Sequence, residues 1–223
     1  MLAPEVLGPC REAGYPNGFA YYVAGRGGVL GDVDADVVVS AFSFFEPTLV
    51  RKLWDEGVAV EGARAAARRY GAACASFWTH RLAGFEGCGR LVEIAEAVVD
   101  GADSSGLSLF AGWRGEQRPT DVAERAGFVL HLLREMRGSA HIAAIVAAGL
   151  TPLEALLATS GAEGAQRFGW SGPFADVAPD AKVPAEELTD AIVARLYTSA
   201  IGDAEIGEFV GLVERARAHL EGA

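Results

Sequence analysis

Arg134, Arg137 and His141 fall at intervals of three and four in the run Leu132–Leu133–Arg134–Glu135–Met136–Arg137–Gly138–Ser139–Ala140–His141. A helix through this run presents all three on one face. Two guanidiniums and an imidazole on an inward-facing stripe suit a carboxylate or a phenolate, because guanidinium forks bind planar anions with charge-assisted hydrogen bonds. His141 also titrates near neutrality and can serve as acid or base, with Arg137 as its partner in a catalytic reading. Arg137 one turn away lowers the imidazole's affinity for a proton by like-charge repulsion. Gly138, Ser139 and Ala140 are small and leave room beside the stripe. The bland alternative places the same arginines in solvent and His141 at a helix end.

A second group gathers near the N-terminus: Tyr15, Phe19, Tyr21, Tyr22 and Arg26. Tyr21 and Tyr22 leave a helix on different sides, so at most one of them faces the core together with Phe19. Glu46 lies among Phe42, Phe44 and Phe45. A carboxylate there is either exposed or paired with an arginine, and Arg26 is the candidate partner. The two groups together define an expected pocket between the helices of 16–54 and those of 119–148. Arg26, Arg134, Arg137 and His141 form its polar end, Tyr22, Phe45 and Trp113 its apolar walls, and Glu46 borders it. His80, His131 and His219 read as surface or cap residues.

Other chemistries lack their signatures. The chain has no Gly-Lys-Ser/Thr, no His-Glu-x-x-His, no Cys-x-x-Cys and no Gly-x-Ser-x-Gly. Gly25–Arg26–Gly27–Gly28–Val29–Leu30–Gly31 fails the dinucleotide pattern at Leu30 and reads as a tight turn. Cys10, Cys74 and Cys88 are widely separated and read as small core residues. No metal and no cofactor is expected.

Helical periodicity carries the chain. From Asp34 to Trp54 apolar residues recur every three or four positions, with Pro47 kinking the helix or starting a second one. Further helices are predicted over 60–82, 86–99, 119–135, 140–148, 184–200 and 203–220. Gly138 interrupts or ends one of them. Leu107–Trp113 is a short apolar piece between loops. Gly149 stops a helix, and Thr151–Pro152–Leu153–Glu154 starts the next with a capping box. The class is all-α, a bundle of eight to ten helices. A pocket domain spans 1–160 and a helical appendage 161–223, the two packed separately or as one.

The chain has 223 residues, 30 acidic against 19 Lys plus Arg, and a net charge of −11. Its longest apolar run is too short for a membrane span, and the N-terminus lacks the pattern of a signal peptide, so a cytoplasmic protein without membrane contact is expected. The acidic balance disfavours nucleic acid.

Three segments resemble a family of uncharacterised actinobacterial all-helical proteins with a helix-turn-helix-like C-terminal part. These are Gly18 to Gly31 with Tyr22–Val23–Ala24–Gly25–Arg26, Ala41 to Val50, and Leu132 to Leu156 with Arg137–Gly138–Ser139–Ala140–His141. Gly169–Trp170–Ser171 is similar as well. The resemblance implies an all-helical fold, a degenerate helix-turn-helix-like C-terminal part and no particular reaction. The chain diverges after Gly–Trp–Ser. Gly172–Pro173–Phe174 breaks the expected helix, and 151–223 holds 12 acidic and 5 basic residues. A recognition helix needs cationic or polar residues toward phosphates and bases, so DNA is not expected as a partner. The expected function is binding of a hydrophobic small molecule bearing an anionic or phenolic group, in secondary metabolism. A cofactor-free cyclase, isomerase or lyase using His141 is the first alternative, and a ligand-responsive transcription regulator the second. A homodimer is left open.

Overall fold

The computed structural model describes residues 3–221, which contain eleven α-helices and no strand. In order they are α1 (Pro4–Leu7), α2 (Gly18–Gly27), α3 (Ala35–Phe42), α4 (Pro47–Glu61), α5 (Ala63–Arg81), α6 (Cys88–Gly101), α7 (Ser108–Arg114), α8 (Val122–Ala147), α9 (Pro152–Arg167), α10 (Val183–Thr198) and α11 (Asp203–Glu221).

α2 is the central element. Asn17 caps it by accepting from the Ala20 N–H at 2.9 Å, and every residue from Ala20 to Gly27 is buried. Two glycines permit this depth. A Cβ on Gly25 would lie 2.4 Å from the Cβ of Tyr70 in α5, and one on Gly57 in α4 would lie 2.5 Å from the Ala20 carbonyl oxygen. α4 and α5 therefore clasp α2 from two sides, and its last side chain, Arg26, is carried to the middle of the molecule.

α8 is the long strut. Asp121 accepts from the Ala123 and Glu124 N–H groups, each at 3.0 Å, to start it. The helix then runs unbroken through Gly138. The expected interruption is absent because Gly138 keeps helical geometry, while tertiary packing against α5, α6, α7 and α10 outweighs its poor propensity. Pro47 starts α4, as the second of its two sequence readings had it. Leu107–Trp113 contributes a full short helix, α7. The capping box at Thr151 forms, with the Glu154 N–H donating to Thr151 Oγ1 at 3.2 Å and the Thr151 N–H donating to Glu154 Oε2 at 2.8 Å. Gly149 (φ 78°) stops α8, and α9 bends at Gly161 (φ 63°). α10 then lies along α8, and α11 packs on α6.

Among the described residues no single helix is long and apolar enough to cross a membrane, and α8 and α9, which reach that composition together, are bent by 108°.

Candidate functional site

A half-open cavity of about 660 Å³ lies between α2, the α3–α4 connection, α8 and the C-terminal helices. The structure brings six of the sequence-predicted residues to it: Tyr22, Arg26, Phe45, Arg134, Arg137 and His141. It leaves two outside. Trp113 is buried at the floor of a separate cavity of about 430 Å³ beside α5. There its indole Nε1 donates to the Arg26 carbonyl oxygen at 3.2 Å, so it braces the end of α2 instead of forming a wall. Glu46 is the N-cap of α4, accepting from the Thr48 and Leu49 N–H groups at 3.0 and 2.6 Å. Slight burial pushes its carboxyl up, but the N–H donors win and hold it below the usual range.

The α3–α4 connection aims the aromatics. Ser43 adopts φ 46° and ψ −59°, the centre of a γ-turn closed by the Phe44 N–H donating to the Phe42 carbonyl oxygen at 2.6 Å. Trp170 Nε1 donates to the Phe44 carbonyl oxygen at 2.8 Å, and the Glu46 N–H donates to the Phe168 carbonyl oxygen at 2.9 Å. The Gly169–Trp170–Ser171 piece thus fastens the loop to the end of α9. Phe45 meets Phe168 edge to face at 4.7 Å, and Phe44 stacks on His141 at 5.8 Å. Tyr21 and Tyr22 are both buried, whereas Phe19 is exposed. Both tyrosines are buried because α2 is enclosed on all sides, not on one.

Sequence reasoning missed Glu135. This fully buried carboxylate accepts from Arg26 Nε and Nη2 at 2.9 and 2.7 Å and from Arg134 Nη1 at 2.6 Å. Arg26 therefore pairs with Glu135, not with Glu46, and its guanidinium also stands over the Phe42 ring at 4.7 Å. Burial would push the Glu135 carboxyl up. The Arg26 charge and hydrogen bonds, with His131 and Arg134 behind them, hold it down at about 2. His131, expected at the surface, is buried with its ring edge-on to Trp113 at 4.7 Å. Neither ring nitrogen has a hydrogen-bond partner among the described residues. Burial outweighs the attraction of Glu135 and pushes the imidazole down to about 4, so it is neutral.

At the cavity mouth Arg137 Nη2 donates to Glu186 Oε2 at 3.0 Å. His141 Nδ1 lies 2.8 Å from Thr189 Oγ1, and that hydroxyl donates its one proton to the Ala185 carbonyl oxygen at 2.7 Å. Nδ1–H must therefore be the donor, which leaves Nε2 as the basic nitrogen. Burial lowers the His141 pKa most; Glu186 opposes this, and Arg137 and Lys182 add to it. Arg137 thus acts in the direction expected from the sequence but is not the chief cause.

The arrangement defines an all-helical protein with an amphipathic cavity, aromatic on one side and cationic at its mouth. The chain belongs to a helix-turn-helix family, which matches residues 1–174. No curated protein and no solved structure matches it. The family match stands against the expectation, drawn from charge, that DNA is not a partner. The matched segment ends before α10 and α11, so Val193, Tyr197, Phe209 and Val213 of the cavity lining lie beyond it.

Proposed function

We propose that this protein binds a hydrophobic small molecule with an anionic or phenolic group in the cavity between α2, α8 and α10. The observation that carries the reading is the lining itself. A volume of about 660 Å³ falls in the range of small-molecule sites, and aromatic walls with a few convergent polar groups are their usual composition. Tyr22 and Phe45 supply apolar surface, and Arg134, Arg137 and His141 supply the polar end. Arg26 is committed to Glu135 and acts as scaffold. Such a protein would serve as a carrier or sequestering protein in the metabolism of its ligand.

Gly138 gives a direct test. It lines the cavity, and a Cβ built on it meets nothing within 4 Å. Gly138→Leu therefore projects a side chain into open space without disturbing the fold. Titration with the fluorescent probe N-phenyl-1-naphthylamine is expected to show saturable binding that Gly138→Leu weakens at least about tenfold. Unchanged binding in that variant, with folding verified by circular dichroism, would defeat the reading.

Family membership favours a second reading, a ligand-responsive transcription regulator. α8 and α9 meet at 108° across a four-residue connection containing Gly149, within the range of a helix-turn-helix corner. α5 also carries Arg64, Arg68, Arg69 and Arg81 and no acidic residue, a basic element in an acidic chain. Selection from random duplex DNA at low salt supports this reading if one motif is enriched, and excludes it if none is.

A further inference from the structure

Around the cavity three guanidiniums meet two carboxylates, an excess of one positive charge. Their donors are not equally available. Arg26 gives Nε and Nη2 to Glu135 and directs Nη1 at the Tyr22 hydroxyl 3.4 Å away, and it is 9% exposed. Breaking that pair would strand Glu135 in the core, so no ligand competes for it. Arg137 is different. Its side chain is 51% exposed and its partner Glu186 38% exposed, at the mouth of the cavity. A solvent-screened pair of this kind contributes little and exchanges readily.

Resting on the ligand-binding reading above, we propose that the cavity takes an anionic aromatic ligand whose anionic group binds Arg137 by displacing Glu186. Glu186 is then a built-in competitor that the ligand must outbid. Arg134, one turn before Arg137, has committed Nη1 to Glu135 and still offers its other nitrogens to the same anion. The body of the ligand lies against Phe42, Phe44, Phe45 and Phe168, which line the same cavity. His141 Nε2, left basic by the hydrogen bond at Nδ1, can accept from a hydroxyl on the ligand. Because Glu186 sits in the first turn of α10, occupation of Arg137 removes one polar tie between α8 and α10 and leaves the His141–Thr189 tie in place.

The experiment compares two probes of one shape, 1-anilinonaphthalene-8-sulfonate and the neutral N-phenyl-1-naphthylamine, on the full chain. Wild type is expected to prefer the sulfonate by about tenfold. Arg137→Gln brings the affinity ratio to near unity, and Glu186→Gln raises it by about threefold or more. Equal affinities in wild type, or a ratio that Glu186→Gln leaves unchanged or lowers, would overturn the proposal. If the ratio ignores both charge variants while Gly138→Leu still blocks the neutral probe, the cavity reading stands and the anion proposal falls. If Gly138→Leu affects neither probe, both fall.

Discussion

The Arg26–Glu135 pair is costly to desolvate, since a fully buried carboxylate and a nearly buried guanidinium have lost water. Its geometry offsets the loss, with two parallel hydrogen bonds from Arg26 and a third from Arg134. Removing one partner is therefore worse than removing both. Arg26→Met is expected to destabilise by about 3–5 kcal/mol. Arg26→Met combined with Glu135→Leu is expected to recover a large part of that loss, because no charge is then stranded. Urea unfolding of the three proteins checks this, and additive losses would contradict it. The same cluster sets the response to acid. Burial holds His131 at about 4 against an ordinary 6.5, so the unfolded chain binds its proton first and stability falls as pH drops from about 6.5 to about 4. Glu135 is depressed from 4.5 to about 2, so its contribution is complete above about 4.5 and is lost as pH falls toward 2. Thermal unfolding should show a midpoint that declines between pH 7 and pH 4. His131→Phe should flatten that decline, and a variant with the wild-type slope would remove His131 as its cause.

At the scale of elements, the signals that act locally were legible. Thr151 and Glu154 close a capping box within four residues, and Pro47 can only begin a helix or bend one. Thr151→Ala should cost about 1 kcal/mol, measured by urea unfolding, because one orphan N–H of α9 loses its acceptor. Arg134, Arg137 and His141 could be grouped from their spacing because one helix carries all three, and the structure does bring them to one cavity. Glu135 was hidden in that same stretch. Its partner Arg26 is 109 residues away, and nothing in the local pattern says that α2 will be buried deeply enough to reach it. His131 escaped for the same reason, since its burial is decided by the ring of Trp113 on α7. Gly138 shows the opposite error. Read alone it is a helix breaker, yet it lies inside α8 with open space where a side chain would be. Gly138→Leu should raise stability by about 0.5–1 kcal/mol through helix propensity, even as it fills the cavity.

At the scale of the molecule, the cavity is lined from two parts of the chain, the family-matched residues and the helices that follow them. Its floor and aromatic side belong to the family-matched residues 1–174, whereas α10 and α11 close it from beyond that segment. Tyr197 stands at this closure. Its ring packs on Phe209 of α11 at 5.9 Å, and burial pushes its hydroxyl up to about 12, so it stays neutral and adds no charge to the cationic mouth. In the proposed pose a neutral amphipathic side chain here covers the ligand's apolar body without competing for Arg137. Tyr197→Ala opens that side while leaving the Arg26–Glu135 cluster and the α2 clasp untouched. The expected result is a loss of about tenfold in affinity for N-phenyl-1-naphthylamine, equivalent to about 1.4 kcal/mol. The ratio between the anionic and neutral probes should stay at its wild-type value, because the proposed anion position is Arg137, whose partner Glu186 is in the first turn of α10, whereas Tyr197 is in its last. A changed ratio with unchanged neutral affinity would place Tyr197 at the polar end instead and would overturn the proposed pose.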